Sequence, residues 1–121
     1  MEYSAQNFDA LLGTPGFSNE LLQNHFTLYQ GYVKNTNSLL ASLDTLEPGT
    51  VQYSELQRRF GWEWNGMRMH ELYFDNLTKD GSIMSASLQA KIEAVYGSIE
   101  AWQKNFVAVG SMRGIGWAVL A

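Results

Sequence analysis

Ser18-Asn19-Glu20-Leu21-Leu22-Gln23-Asn24-His25-Phe26-Thr27-Leu28-Tyr29-Gln30-Gly31-Tyr32-Val33 is the stretch that decides how this chain folds. Ser18 is of the residue type that caps helices, because its hydroxyl can accept from a backbone N–H that has no partner in the first turn. Behind it Leu21, Leu22, His25, Leu28, Tyr29, Tyr32 and Val33 recur every three or four residues, the period of one helix face. Leu39, Leu40, Leu43 and Leu46 continue that face. A single helix of about 28 residues, roughly 40 Å long, is predicted.

On its C-terminal side, Glu47-Pro48-Gly49-Thr50 is a strong stop, and a second helix is predicted from near Ser54. It runs through Leu56, Phe60, Trp64, Met67, His70, Leu72, Phe74 and Leu77 to a terminator at Lys79-Asp80-Gly81. Two long helices joined by a short turn must lie antiparallel. On the N-terminal side, residues 5–12 suit a short helix closed by Gly13-Thr14-Pro15-Gly16. Further helices are predicted at about 85–96 and 98–111, separated at Gly97-Ser98. The glycine-punctuated apolar run from Gly114 to Ala121 reads as a strand. A lone apolar strand needs neighbours to pair with, so either the remainder of a sheet or another chain is expected beside it. The expected fold class is therefore mainly α: a long antiparallel helical hairpin, then two helices and one terminal strand.

Composition narrows the function classes. The 121 residues are 45% hydrophobic and 17% charged, ordinary for a soluble domain with a buried core. Eight Lys and Arg against twelve Asp and Glu argue against a broad phosphate-binding surface, so nucleic acid is not expected as a partner. The absence of cysteine excludes disulfides, thiolate metal sites and Cys nucleophiles, and fits a reducing, cytoplasmic setting. No apolar run approaches the roughly 20 residues that span a bilayer, so no membrane is expected either. The first residues, Met1-Glu2-Tyr3-Ser4, lack the basic-then-apolar pattern of a signal peptide and read as mature protein.

His25 and His70 are the two histidines, and their relation decides what metal chemistry is open. In a straight antiparallel hairpin turning near residues 48–49, facing residues have numbers that sum to about 97. His25 and His70 miss that sum by about two residues, roughly 3 Å along the axis, so they can meet across the helices. Tyr32, seven residues after His25, lies two turns along on the same face and shares the seam. Two such imidazoles are either satisfied core histidines or part of a metal site.

These residues resemble those of the iron/manganese superoxide dismutases. That family's first helix reads His-His-x-Lys-His-His-x-x-Tyr-Val-x-x-x-Asn, its first His a metal ligand; here His25 through Asn37 keeps Tyr32-Val33 and spaced asparagines. The spacing to Tyr32 is one residue shorter. An ungapped alignment puts Asn24 on the ligand position, and an alignment with one deletion puts His25 there. The family's Trp-Asn-His-x-x-x-Trp looks like Arg68-Met69-His70-Glu71-Leu72-Tyr73-Phe74, and Gly66 stands where one branch of the family carries an active-site Gln. Gly is similar to the manganese-type pattern. Leu88 through Phe106 is close to the family's next helical segment, and Arg113-Gly114-Ile115-Gly116-Trp117-Ala118-Val119-Leu120 resembles its Phe-Gly-Ser-Gly-Trp-x-Trp-Leu.

The resemblance implies an oxidoreductase that disproportionates superoxide, its small-molecule substrate, on redox-active Fe or Mn. His25 and His70 would be metal ligands, Tyr32 a gateway residue of proton delivery and Trp117 a wall of the cavity. It implies a helical-hairpin domain over residues 1–80 and the start of an α/β domain over 81–121. The family's remaining ligands belong to an Asp-x-Trp-Glu-His motif absent from these 121 residues, so a homo-oligomer or a completing polypeptide is expected. The alternatives are a non-catalytic superoxide-dismutase-like interaction or scaffold module, and a generic bundle with structural histidines. Arg58-Arg59 beside Phe60 and Trp62 reads as a solvated basic patch, and Met67, Met69 and Met84 as gap-filling core.

Overall fold

Hydroxyl caps set where the helices begin. In the computed structural model, which describes residues 2–121, α1 spans Asn19–Leu43, and the Ser18 hydroxyl accepts from the Leu21 N–H at 3.1 Å. α2 spans Val51–Asp75 and is capped by Thr50, whose Oγ1 accepts from the Tyr53 N–H at 3.2 Å. The second helix thus starts ahead of Ser54, whose own hydroxyl donates back to the Thr50 carbonyl. Both helices also stop earlier than predicted. After α1, Thr45 donates its hydroxyl to the Ser42 carbonyl and Leu46 its N–H to Leu43 in a tighter turn. After α2, the Asn76 amide takes the Leu72 carbonyl at 2.9 Å. Short polar side chains that bond nearby backbone end helices in this way.

The chain divides into two compact units, one ending at Gly81 and the other running from Ser82 to Ala121. In the first, α1 and α2 pack as an antiparallel hairpin, and the N-terminal segment lies across it. That segment is not the short helix expected over residues 5–12 but a single 3-10 turn, Asp9–Leu11. Bonds to the hairpin hold the backbone before it: both the N–H and the carbonyl of Tyr3 pair with the Asn37 side-chain amide, and the Gln6 N–H donates to the Tyr29 hydroxyl at 3.0 Å. Phe8 follows into the core, 4.7 Å from the Phe74 ring. Leu22, Phe26, Tyr29 and Val33 of α1 and Met67 and Phe74 of α2 complete that core.

The second unit contains α3 (Ala86–Tyr96) and α4 (Ile99–Gly110), capped by Ser85 and Ser98, with Ile92 buried and Trp102 and Phe106 in ring contact at 5.6 Å. The terminal run does not form the expected strand; no strand occurs among the described residues. Gly114 and Gly116 adopt φ of 138° and 147°, which breaks the extended path, and no neighbouring strand supplies a ladder. Among the described residues, no helix is long and apolar enough to cross a membrane.

Two substitutions test the hairpin core. Phe74→Ala removes a ring that is 1% exposed and touches the rings of Phe8, Phe26 and Tyr29, so chemical denaturation should show a loss of about 3–5 kcal/mol. Thr36 is fully buried, and its hydroxyl has no hydrogen-bond partner among the described residues. Thr36→Val keeps the shape and removes that hydroxyl, so the same assay should show a gain of about 1 kcal/mol.

Candidate metal centre

The buried residues of α2 are Glu63, Gly66, Met67, His70, Glu71 and Phe74, spaced as one stripe of a helix. His70 therefore faces α1, where His25 waits one level across. The two rings lie 4.9 Å apart between centroids and nearly perpendicular, at 83°. Phe74 at 4.9 Å and Tyr73 at 5.3 Å wall the His25 ring. Asn24, the other candidate for this position, is exposed.

His70 is buried, and its Nδ1 lies 2.6 Å from the Gly66 carbonyl oxygen. A carbonyl can only accept, so Nδ1 carries the proton and the lone pair of the neutral ring resides on Nε2. The Tyr32 ring packs on the same imidazole at 5.3 Å, tilted by 32°. Burial first, and the neighbouring His70 second, push the His25 imidazole below its ordinary 6.5. Both effects favour the neutral ring, which is the form that ligates metals. His25, His70 and Tyr32 are thus brought together, as the seam argument expected. Trp117 belongs to the second unit, which contains α3 and α4.

Two buried carboxylates flank this cluster, and sequence reasoning gave neither of them a role. Glu71 accepts from the Tyr29 hydroxyl at 3.0 Å and from the Arg68 guanidinium. Glu63 accepts from Arg59 at 2.9 Å and from the Asn35 side-chain amide at 3.2 Å. Each carboxylate has one partner along its own helix and one across the hairpin. The signal was there to read: Glu63 and Glu71 each stand four residues from Met67, on the apolar stripe.

No family model matches the chain. Curated proteins do. A superoxide dismutase [Fe] of Cupriavidus metallidurans is 36% identical over 111 residues, which are 87% of this chain and 56% of that protein. A superoxide dismutase [Fe] of Saccharolobus solfataricus is 30% identical, covering 88% of this chain and 55% of the relative. A mitochondrial superoxide dismutase [Mn] of Glossina morsitans morsitans is 28% identical, covering 88% and 51%. Over most of its length the chain is similar to iron and manganese superoxide dismutases. It spans about half the length of the curated relatives it matches.

Names of the relatives bring iron and manganese into question, and the donor set can be tested against them. Imidazole nitrogens suit a first-row transition metal, and a carbonyl bonded to the other nitrogen of one ring is the usual way such a ring is oriented. Among the described residues, however, no group of three or more His, Cys, Asp or Glu could hold a metal ion. The two imidazoles are donors a metal could use, but the described residues do not by themselves complete a metal site.

Tyr29 offers a measurable signature of the surroundings of this cluster. Burial raises its ionisation above the ordinary 10.0; the Gln6 N–H opposes that, while the hydrogen bond and charge of Glu71 add to it and Arg68 opposes again. Because the folded value lies above the unfolded one, this contribution to stability is complete below pH 10.0 and is lost as pH rises through the folded value. Alkaline ultraviolet difference titration should show a tyrosine ionising late, and Tyr29→Phe should abolish that component. A late component that survives in Tyr29→Phe contradicts the assignment.

Proposed function

We propose that this hairpin supplies two imidazole ligands, His25 and His70, to an iron or manganese centre of the superoxide dismutase type. The remaining donors would lie outside the 121 residues, on the same polypeptide or a partner. What supports the reading most is the pairing itself: two rings 4.9 Å apart, one of them fixed through Nδ1 by the Gly66 carbonyl. Two core histidines without such a role have no need to face each other among aromatic rings.

The metal, when bound, would supply one-electron cycling, by which two superoxide ions and two protons give dioxygen and hydrogen peroxide. The chain's own residues would favour the neutral His25 ring and orient that of His70. Phe74 and Tyr73 would keep water from the His25 ring. Tyr32, beside His70, would serve proton delivery at its hydroxyl, and Trp117 would exclude bulk water, both roles carried over from the resemblance. A homo-oligomer or a completing polypeptide, in a cytosolic setting, belongs to the same reading.

A second reading, a non-catalytic scaffold or interaction module of the same family, draws on the engagement of the nearby carboxylates. Glu71 is committed to Tyr29 and Arg68, and Glu63 to Arg59 and Asn35, so neither is available as a third donor without giving up these partners.

Titration of the purified chain with manganese(II), and with iron(II) under anaerobic conditions, separates the two. Weak binding is expected, falling about tenfold or more in both His25→Ala and His70→Ala, since even the loss of an outer-shell partner of a ligand costs that much. Affinity that neither substitution changes would sink the metal reading and leave the scaffold.

A further inference from the structure

Gly66 lies in the interior of α2, where glycine weakens a helix relative to alanine. The compensation is found across the hairpin. A Cβ built on Gly66 would fall 2.7 Å from Cγ of Tyr32, and closer still to its Cδ1 and Cε1. Cγ is the first ring atom and its position is set by χ1, so spinning the ring about its own axis leaves the Cγ contact in place. The ring could escape only through another χ1 rotamer, and a helix allows few of those. Alternatively α1 and α2 would have to move apart.

The ring that fills this space is the one packed 5.3 Å from the His70 imidazole. We propose that Gly66 is a positioning residue, its missing side chain forming the seat that holds the Tyr32 phenol ring against His70. Gly66 does two separable things. Its carbonyl accepts from His70 Nδ1, which any residue at this position retains. Its lack of a Cβ seats Tyr32, which only glycine provides. The importance of Tyr32 to chemistry rests on the function proposed above; the seat itself does not.

The experiment compares Gly66→Ala, Tyr32→Ala and the double variant in the metal-free chain, by thermal unfolding and by NMR of the His70 and Tyr32 rings. In the native background Gly66→Ala should lower Tm. In the Tyr32→Ala background, with the clash removed, the same change should raise Tm by roughly 2–6 °C, the ordinary benefit of alanine in a helix. Nuclear Overhauser contacts between Tyr32 and His70 should vanish in Gly66→Ala, while the nitrogen shifts of His70 keep the Nδ1-protonated form. A general loosening of the hairpin would disturb both together. Gly66→Ala that raises Tm in both backgrounds, or that keeps the Tyr32–His70 contacts, overturns the proposal. Should Gly66→Ala fail to fold, the double variant decides: a folded double variant supports the seat and an unfolded one overturns it. No readout needs a metal, so failure of metal binding would sink the dismutase reading and leave the seat standing.

Discussion

The register between α1 and α2 is the constraint on which the first unit depends. Three rungs fix it: Tyr29 to Glu71, His25 against His70, and Asn35 to Glu63. Apolar side chains alone set register loosely, because one leucine-sized contact resembles the next. Carboxylates do not slip in this way. Glu63 is 3% and Glu71 5% exposed, and sliding either past its partner would leave a buried carboxylate short of a hydrogen bond, at a cost of about 1–3 kcal/mol. Each carboxylate rung also has an arginine behind it, three or four residues along the same helix, so its charge is balanced from within α2. The aromatic core and the histidine pair inherit the register that these polar rungs impose.

Much of this was legible in the sequence, and the reasons differ by element. The long helices announced themselves through Ser18, the Glu47-Pro48-Gly49-Thr50 stop and the three-to-four spacing, and the histidine pair followed from counting outward from the Pro48-Gly49 turn. Helix ends were less legible, because Thr45 and Asn76 act through side-chain bonds whose effect depends on which carbonyl is in reach. The N-terminal segment was misread as a helix because its conformation is dictated by groups far along the chain, Asn37 and Tyr29, and not by its own periodicity. The terminal run carries apolar residues at strand-like density, but two glycines with positive φ and no partner strand leave it irregular.

The candidate site divides along the same line. Its ring partners were visible as residues on a common face, whereas its supporting shell was not. Glu71, adjoining His70, turns about 100° away from it around the helix. That turn carries it to Tyr29 and Arg68, where it braces the helix that presents His70. Gly66 likewise read as a gap in a pattern, and is instead the place where a ring from the other helix comes to rest.

The path of the N-terminal segment also bears on the order in which the chain assembles. Phe8 has its ring seat on Phe74, and the Tyr3 hydroxyl reaches the Trp64 indole across 61 positions of sequence. Neither seat exists until α2 has formed and closed on α1. The contacts of this segment with α2 must thus wait, since they carry the largest loop-closure cost in the unit while those within each helix carry almost none. During synthesis, the Phe8 ring stays only partly covered until the second helix has emerged.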